Sequence, residues 1–221
     1  MFAPAQAKSS PPMLLRRPVK AAAVASLTDA RYFAALGVEY LGFALEPGGI
    51  PLAEAIAVRE WVSGPQIVAE CGGLPLDDVV ELCRALRPDA VQVGPFAAVG
   101  QVAEATALPV LQAIPLDAGL TPDLVDAQRT AAPPAALVVD ATGVAGGWSG
   151  LRQNATWLPW LREVSAELPV LLELTATAEE LEAILAELPE VGLQVRGGDE
   201  EAVGVKSFAE LDAWFERLEV E

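Results

Sequence analysis

Residues 18–45 read PVKAAAVASLTDARYFAALGVEYLGFAL, and this stretch decides the fold. The apolar run at 19–24 is long enough for a buried strand and too short for a helix. Ser26 can cap a helix with its side-chain oxygen, and Gly37 can end that helix in the left-handed conformation. A second apolar run follows at 40–45. A strand, a capped helix and a strand in so short a stretch predict a βαβ unit with parallel strands.

The same alternation of short apolar runs and longer helical patterns continues to the end of the chain. Together with the first unit it predicts eight strands, near 19–24, 39–44, 66–71, 89–93, 109–114, 136–140, 170–174 and 191–196. Between the last two strands, Thr177 to Glu180 resembles a capping box before an apolar helical face. The strands lack clean alternation of polar and apolar residues, as expected for parallel strands covered on both faces.

This pattern and length predict an α/β protein with a closed (β/α)8 barrel, the TIM-barrel architecture. The alternative is an open, doubly wound sheet, which usually has fewer strands. Such a sheet would show a G-x-G-x-x-G turn after its first strand, and this chain has none there. We expect residues 1–17, rich in Ala, Pro and Ser, to form a loose tail and residues 18–221 to form one domain.

The composition restricts the partners and the location. The chain has 31 acidic and 14 basic residues, a net charge of −17, so a nucleic-acid backbone would be repelled. No apolar run approaches the roughly 18 residues of a membrane-spanning helix. The N-terminus lacks the pattern of a secretory signal, and we expect a cytoplasmic protein. The sequence does not indicate whether the chain pairs with itself or with another protein.

Histidine is absent, which removes the commonest general base and the commonest metal ligand. Cys71 and Cys83 do not have the spacing of a metal site, and we expect both to be reduced. A disulfide between them is the alternative. We therefore expect neither a metal nor a cofactor.

Polar residues recur near the carboxyl ends of the predicted strands, where barrels carry their functional sites. They are Lys20, Glu46, Glu70, Cys71, Gln92, Gln112, Asp140, Glu173, Gln194 and Arg196. Buried polar groups must be paired, so we expect these side chains to meet one another, water or a ligand at one barrel mouth. The alternative is a ring of mutually satisfied residues that only fills the mouth.

Four segments resemble phosphoribosylanthranilate isomerases, and the likeness extends over about residues 18–218. The stretch from Val19 to Leu45 resembles that family's opening, a VK-I-C-G-I-T signature followed by a DA helix start and an A-x-G-A-D-x-L-G-F strand. LVVDATGVAGGWSG at 137–150 resembles an aspartate strand followed by G-G-T-G, and VQVG at 91–94 resembles Q-L-H-G. GLQVRGGDEEAVGVKSF at 192–208 resembles G-V-D-V-S-S-G-V-E…G-x-K-D. The resemblance implies a TIM barrel and an Amadori isomerisation of an aldose to a ketose in tryptophan biosynthesis.

The departures from the family pattern fall on its catalytic groups. Ala22-Ala23 replaces the Cys-Gly pair whose cysteine is the family's general base, whereas Asp140 matches its general acid. Glu70 or Cys71 would be the substitutes for the base. Loss of a placed general base costs about 10²–10⁴ in rate.

The groups that bind the substrate's phosphate also differ. Leu174-Thr175 stands in place of the family's Gly-Gly pair, and EPGGIPLAEA at 46–55 lacks its Ser-Pro-Arg segment. Arg196 and the backbone amides of Gly197 and Gly198 could form a substitute anion site. In the alternative interpretation, Arg196 pairs with an acidic neighbour, Glu173 or Asp199.

Two functions follow from this pattern. The first is an isomerase-like barrel with weak or lost activity, and the second is a non-catalytic barrel that binds a ligand or a protein partner. Its ligand would be a small phosphorylated or anionic molecule. The candidate ligand-binding residues are Lys20, Gln92, Gln112, Glu173, Gln194, Arg196, Gly197 and Gly198.

Overall fold

The structure, a computed structural model, describes residues 14–116, 119–197, 200–202, 205–206 and 209–220, with only the backbone described at 200–202 and 205–206. The strands of the barrel are β1 Val19–Ala22, β2 Tyr40–Ala44, β3 Gln66–Gly72, β4 Ala90–Val93, β5 Val110–Pro115, β6 Ala136–Asp140, β7 Val170–Glu173 and β8 Val191–Arg196. A short pair, β9 Glu200–Ala202 and β10 Val205–Lys206, follows β8.

The helices cover the outside of these strands. They are α1 Leu27–Ala35, α2 Leu52–Trp61, α3 Leu76–Leu86, α4 Val99–Thr106, α5 Pro122–Ala131, α6 Gly147–Arg152, α7 Trp157–Glu167, α8 Leu181–Glu187 and α9 Ala209–Leu218. Within the described part of the chain, none of them combines the length and apolarity needed to cross a lipid bilayer.

The eight parallel strands close into a barrel, because β1 pairs with both β2 and β8. Four residue pairs join β1 to β8, from Val19–Leu193 to Ala22–Arg196. The predicted closed (β/α)8 barrel is therefore confirmed, and the alternative of an open sheet is wrong. The predicted strands agree with the observed ones to within about two residues at each end.

Apolar side chains form two layers, as expected when every strand is covered on both faces. The small inner cluster fills the barrel with Val68, Ala90, Leu111, Ala136, Val138 and Leu171. The larger cluster lies between the strands and the helices. Successive side chains of each strand point alternately into the two layers, so a residue and the one two positions along face the same layer.

Two local features differ from the sequence-based expectation. The glycine-rich segment 143–150 was expected to be a loop, but α6 begins within it at Gly147, where Gly146 and Gly147 have positive φ and the buried Trp148 donates its N–H to Thr175 O. Residues 14–17, assigned to the loose tail, are held against the C-terminal helix. Leu15 forms a β-bridge with Glu219, and Arg16 N–H donates to Leu218 O at 2.8 Å.

Candidate active site at the barrel mouth

A chain of hydrogen-bonded charged and polar side chains crosses the interior of the barrel near the carboxyl ends of four strands. Lys20 on β1 donates to Glu70 on β3 and, at 2.7 Å, to Gln194 Oε1 on β8. Gln194 in turn donates to Glu173 on β7, which also binds the Arg196 guanidinium through two nitrogens. Lys20, Glu70, Glu173 and Gln194 are all buried. These side chains, which the sequence places near the ends of their strands, contact one another inside the barrel.

Burial sets the electrostatics of the group. The Lys20 side chain is completely buried, and this desolvation lowers the pKa of Lys20, while the Glu70 carboxylate acts in the opposite direction. Arg196 is half-exposed. Burial opposes its charge, but the hydrogen bonds and charge of Glu173 outweigh that effect and raise the pKa of Arg196. The two cations are thus each matched by a carboxylate.

Backbone geometry makes room for the buried ion pair. Gly42 on β2 faces the interior, where a Cβ would lie 2.0 Å from Glu70 Oε1 and 3.0 Å from Lys20 Nζ. The second oxygen of Glu70 accepts the N–H of Ala23 at 3.0 Å. Ala23 has φ 50, the left-handed region that glycine favours and that the glycine of the resembled Cys-Gly pair would occupy without strain.

Ala22 belongs to the same mouth. It lies two residues after Lys20 on β1, so both side chains face the barrel interior. Across the sheet it is in register with Arg196. Its side chain is buried and carries no group that can exchange a proton. The end of β1 therefore presents only an inert methyl group to the mouth.

Asp140 and Gln92 complete the interior-facing set. Asp140 ends β6 in register with Glu173, and its Oδ1 accepts the N–H and the hydroxyl of Thr142 at 2.9 and 2.6 Å. Gln92 on β4 is in register with Glu70, and its buried Oε1 has no hydrogen-bond partner within the described residues. An unpaired buried acceptor is the kind of atom that a ligand or a water satisfies.

Two predicted site residues face away from the mouth. Gln112 faces the same side of β5 as Val110 and Ile114, which belong to the outer layer. It donates to Pro95 O and Gln128 Oε1, so its predicted place at the mouth is wrong. Cys71 also lies in the outer layer and contacts Cys83. Both residues share the face opposite to that of their neighbours Leu111 and Glu70, because side chains alternate along a strand.

The remaining predicted positions follow β2 and β8 in the sequence or end β8. Gly197 follows β8 and is half-buried, whereas Gly198 lies outside the described residues. Arg196 binds Glu173, which was the alternative interpretation of this arginine. Glu46, after β2, accepts the N–H of Gly73 at 3.0 Å at the end of β3.

Sequence reasoning missed two residues of the site. Gly42 could have been found, since a glycine inside an apolar strand often marks the close approach of another group. Thr142 had no comparable signal, because only the turn after β6 brings its hydroxyl to Asp140.

A cavity of about 910 Å³ lies beside the mouth, between the loops that follow β6 and β7 and helix α9. Thr142, Gly147, Thr175 and Trp214 are among its lining residues, together with the carboxylates Glu179, Glu180 and Glu210. Among the described residues, no group of three or more His, Cys, Asp or Glu side chains could hold a metal ion.

The closed barrel with a charged mouth at the carboxyl ends of its strands defines the class, a (β/α)8 barrel. The phosphoribosylanthranilate isomerase of Thermus thermophilus is 30% identical, with a TM-score of 0.70 over 91% of this chain and 98% of that one. The enzymes of Thermotoga maritima and Pyrococcus furiosus share the fold at 14% and 15% identity, with TM-scores of 0.72 and 0.68. This chain belongs to the phosphoribosylanthranilate isomerase family. No family model matches the sequence, and no curated protein sequence matches it either.

Proposed function

We propose that this chain is a phosphoribosylanthranilate isomerase-like barrel whose isomerase activity is weak or lost. The observation that carries the proposal is Ala22, which faces the mouth and which the sequence resemblance aligns with the family's catalytic cysteine. The Amadori rearrangement needs an acid at the ring oxygen and a base for the proton on C2 of the sugar. Asp140 is the candidate acid, and the base is missing.

Neither substitute for the base is arranged to replace it. Both Glu70 oxygens are engaged, one by Lys20 and the other by the N–H of Ala23. Cys71 faces the outer layer, and its hydrogen bond with Cys83, together with burial, raises the pKa of its thiol. A thiol on that face has no path to a substrate in the barrel mouth.

The binding groups support the same proposal. Leu174-Thr175 supplies a buried leucine where the family has two glycines. Glu173 binds Arg196 with both of its oxygens, so a phosphate would have to compete with a carboxylate already in place. With a net charge of −17, the chain offers no long-range attraction for an anionic substrate.

The alternative is a non-catalytic barrel that binds a small anionic or phosphorylated molecule. The Arg196 side chain is 56% exposed although Glu173 binds it, so one edge of the guanidinium faces the solvent beside Gly197. The unpaired Oε1 of Gln92 would accept a hydroxyl of the same ligand. This function needs the binding groups of the mouth and no general base.

The test is complementation of a tryptophan auxotroph that lacks this isomerase, with wild type, Ala22→Cys and Ala22→Ser side by side. Serine matches cysteine in size and lacks its thiolate. We expect no growth with wild type or with Ala22→Ser at protein levels equal to an active control enzyme. Growth with wild type would contradict the proposal.

The Ala22→Cys variant separates the loss of the general base from the loss of the phosphate-binding groups. Growth with Ala22→Cys alone would show that the base is the only missing part. Failure of all three chains would favour the non-catalytic alternative. Calorimetry with ribose 5-phosphate, on wild type and Arg196→Gln, then decides whether the mouth binds such a ligand through that arginine.

A further inference from the structure

Two thiols lie together on the outside of the barrel wall, away from the mouth. Cys71 is near the end of β3, and Cys83 is in the last turns of α3, the helix that packs on that strand. Both are free cysteines buried in the outer apolar layer, where α3 packs on β3, and each thiol shifts the pKa of the other. They are the only cysteines in the chain.

The two thiols differ in their access to the surroundings. Cys71 is fully buried, whereas Cys83 is 6% exposed and lines a cavity of about 280 Å³ between α3 and α4. The exposed residues Arg84 and Arg87 also line this cavity. A cavity of this size admits a small oxidant, and the two guanidinium groups favour negative charge in it.

We propose that Cys83 and Cys71 are an oxidisable dithiol, in which Cys83 reacts with a hydroperoxide and Cys71 resolves the product to a disulfide. The Cys83 thiolate attacks the terminal oxygen of the hydroperoxide; the O–O bond breaks, the alkoxide leaves (hydroxide when the oxidant is hydrogen peroxide), and Cys83 becomes a sulfenic acid. The Cys71 sulfur then attacks the Cys83 sulfur. Its proton leaves with the departing hydroxyl as water, and the S–S bond forms.

The direction of the reaction follows from access, because Cys83 lines the cavity and Cys71 is fully buried, and the pKa shifts act in the same direction. A hydrogen bond from Cys71 lowers the pKa of Cys83, whereas that bond, followed by burial, raises the pKa of Cys71. The thiolate is the nucleophile, so the thiol beside the cavity is also the one that reacts first. The product would tie α3 to the strand that carries Glu70.

The experiment treats the reduced, folded protein with hydrogen peroxide and follows intact mass and free thiols. We expect wild type to lose two hydrogens and both free thiols. Cys71→Ser should instead gain one oxygen that dimedone traps, and Cys83→Ser should react at least about tenfold more slowly because its remaining thiol has no access.

Two results would overturn the proposal. One is a wild-type protein that keeps both thiols in excess peroxide while it stays folded. The other is a Cys83→Ser variant that oxidises as fast as Cys71→Ser. If a serine variant does not fold, peptide mapping of oxidised wild type decides alone, through the presence or absence of a peptide that links positions 71 and 83.

Discussion

Glu70 shows how one side chain organises the interior of the mouth. One carboxylate oxygen binds Lys20, and the other accepts the N–H of Ala23, so the residue joins β3 to the strand and the turn of the first unit. A lysine without exposure to water is stable only where such a partner is present, because the desolvation of an unpaired charge costs several kcal/mol.

Gly42→Ala should destabilise the fold through this ion pair. The new methyl group would lie 2.0 Å from Glu70 Oε1, so overpacking and displacement of the buried pair would together cost about 2–4 kcal/mol. The measurement is the free energy of unfolding in urea. The matched control is Gly73→Ala, where a Cβ would meet nothing within 4 Å and we expect a change below about 0.5 kcal/mol. Equal effects in the two variants would show that Gly42 does not protect the pair.

At the scale of elements, the junction between β1 and α1 places Ala22 and Ala23 in the site. The strand ends at Ala22 because Ala23 turns to φ 50, and Ser26 then caps α1 by accepting the N–H of Asp29 at 3.1 Å. This left-handed backbone conformation favours glycine, but the residue here is an alanine, whose Cβ makes it less favourable. The junction is therefore strained at one position.

Ala23→Gly should stabilise the protein by about 0.5–1 kcal/mol, because relief of the left-handed alanine exceeds the extra entropy of the unfolded chain. Urea unfolding measures the change. Ala21→Gly is the control in the same strand. Ala21 is fully buried in the outer layer, and removal of its methyl group should lower the free energy of unfolding by about 1–2 kcal/mol. A loss of stability in Ala23→Gly would mean that the turn does not strain the alanine.

At the scale of the whole molecule, the barrel is closed by β1 against β8, and residues 14–16 meet residues 218–220 beside that closure. Val220 N–H donates to Leu14 O and Arg16 N–H donates to Leu218 O, both at 2.8 Å. The segment before β1 therefore fastens helix α9 at the point where the first and last strands join.

Removal of residues 1–13 should leave the stability unchanged, whereas removal of residues 1–17 should lower it by about 1–3 kcal/mol. Only the longer deletion loses the two backbone hydrogen bonds to the C-terminal segment, each worth about 0.5–1.5 kcal/mol. The midpoint and slope of urea unfolding give the comparison. A large loss from the shorter deletion would assign a stabilising role to residues 1–13.

The sequence predicted most of the fold because local patterns carry it. The strand–helix alternation predicted all eight barrel strands, and Ser26 acts as the cap that its position suggested. Thr177 and Glu180 form reciprocal side-chain bonds to each other's backbone N–H, in the turn just before α8 begins at Leu181. The pair β9–β10 was not foreseen, since a three-residue strand pairing with a two-residue strand leaves no periodic pattern.

The sequence by itself determined the alternation of elements, the Ala22-Ala23 pair after the first strand and the set of polar residues near the strand ends. Only the tertiary structure decided which of these residues meet. Gln112 and Cys71 stand close in sequence to the residues of the mouth but face the helices, because a shift of one residue along a strand reverses the face. Lys20, Glu70, Glu173, Gln194 and Arg196 come from four strands spread along the chain, and barrel closure brings them into one hydrogen-bonded group.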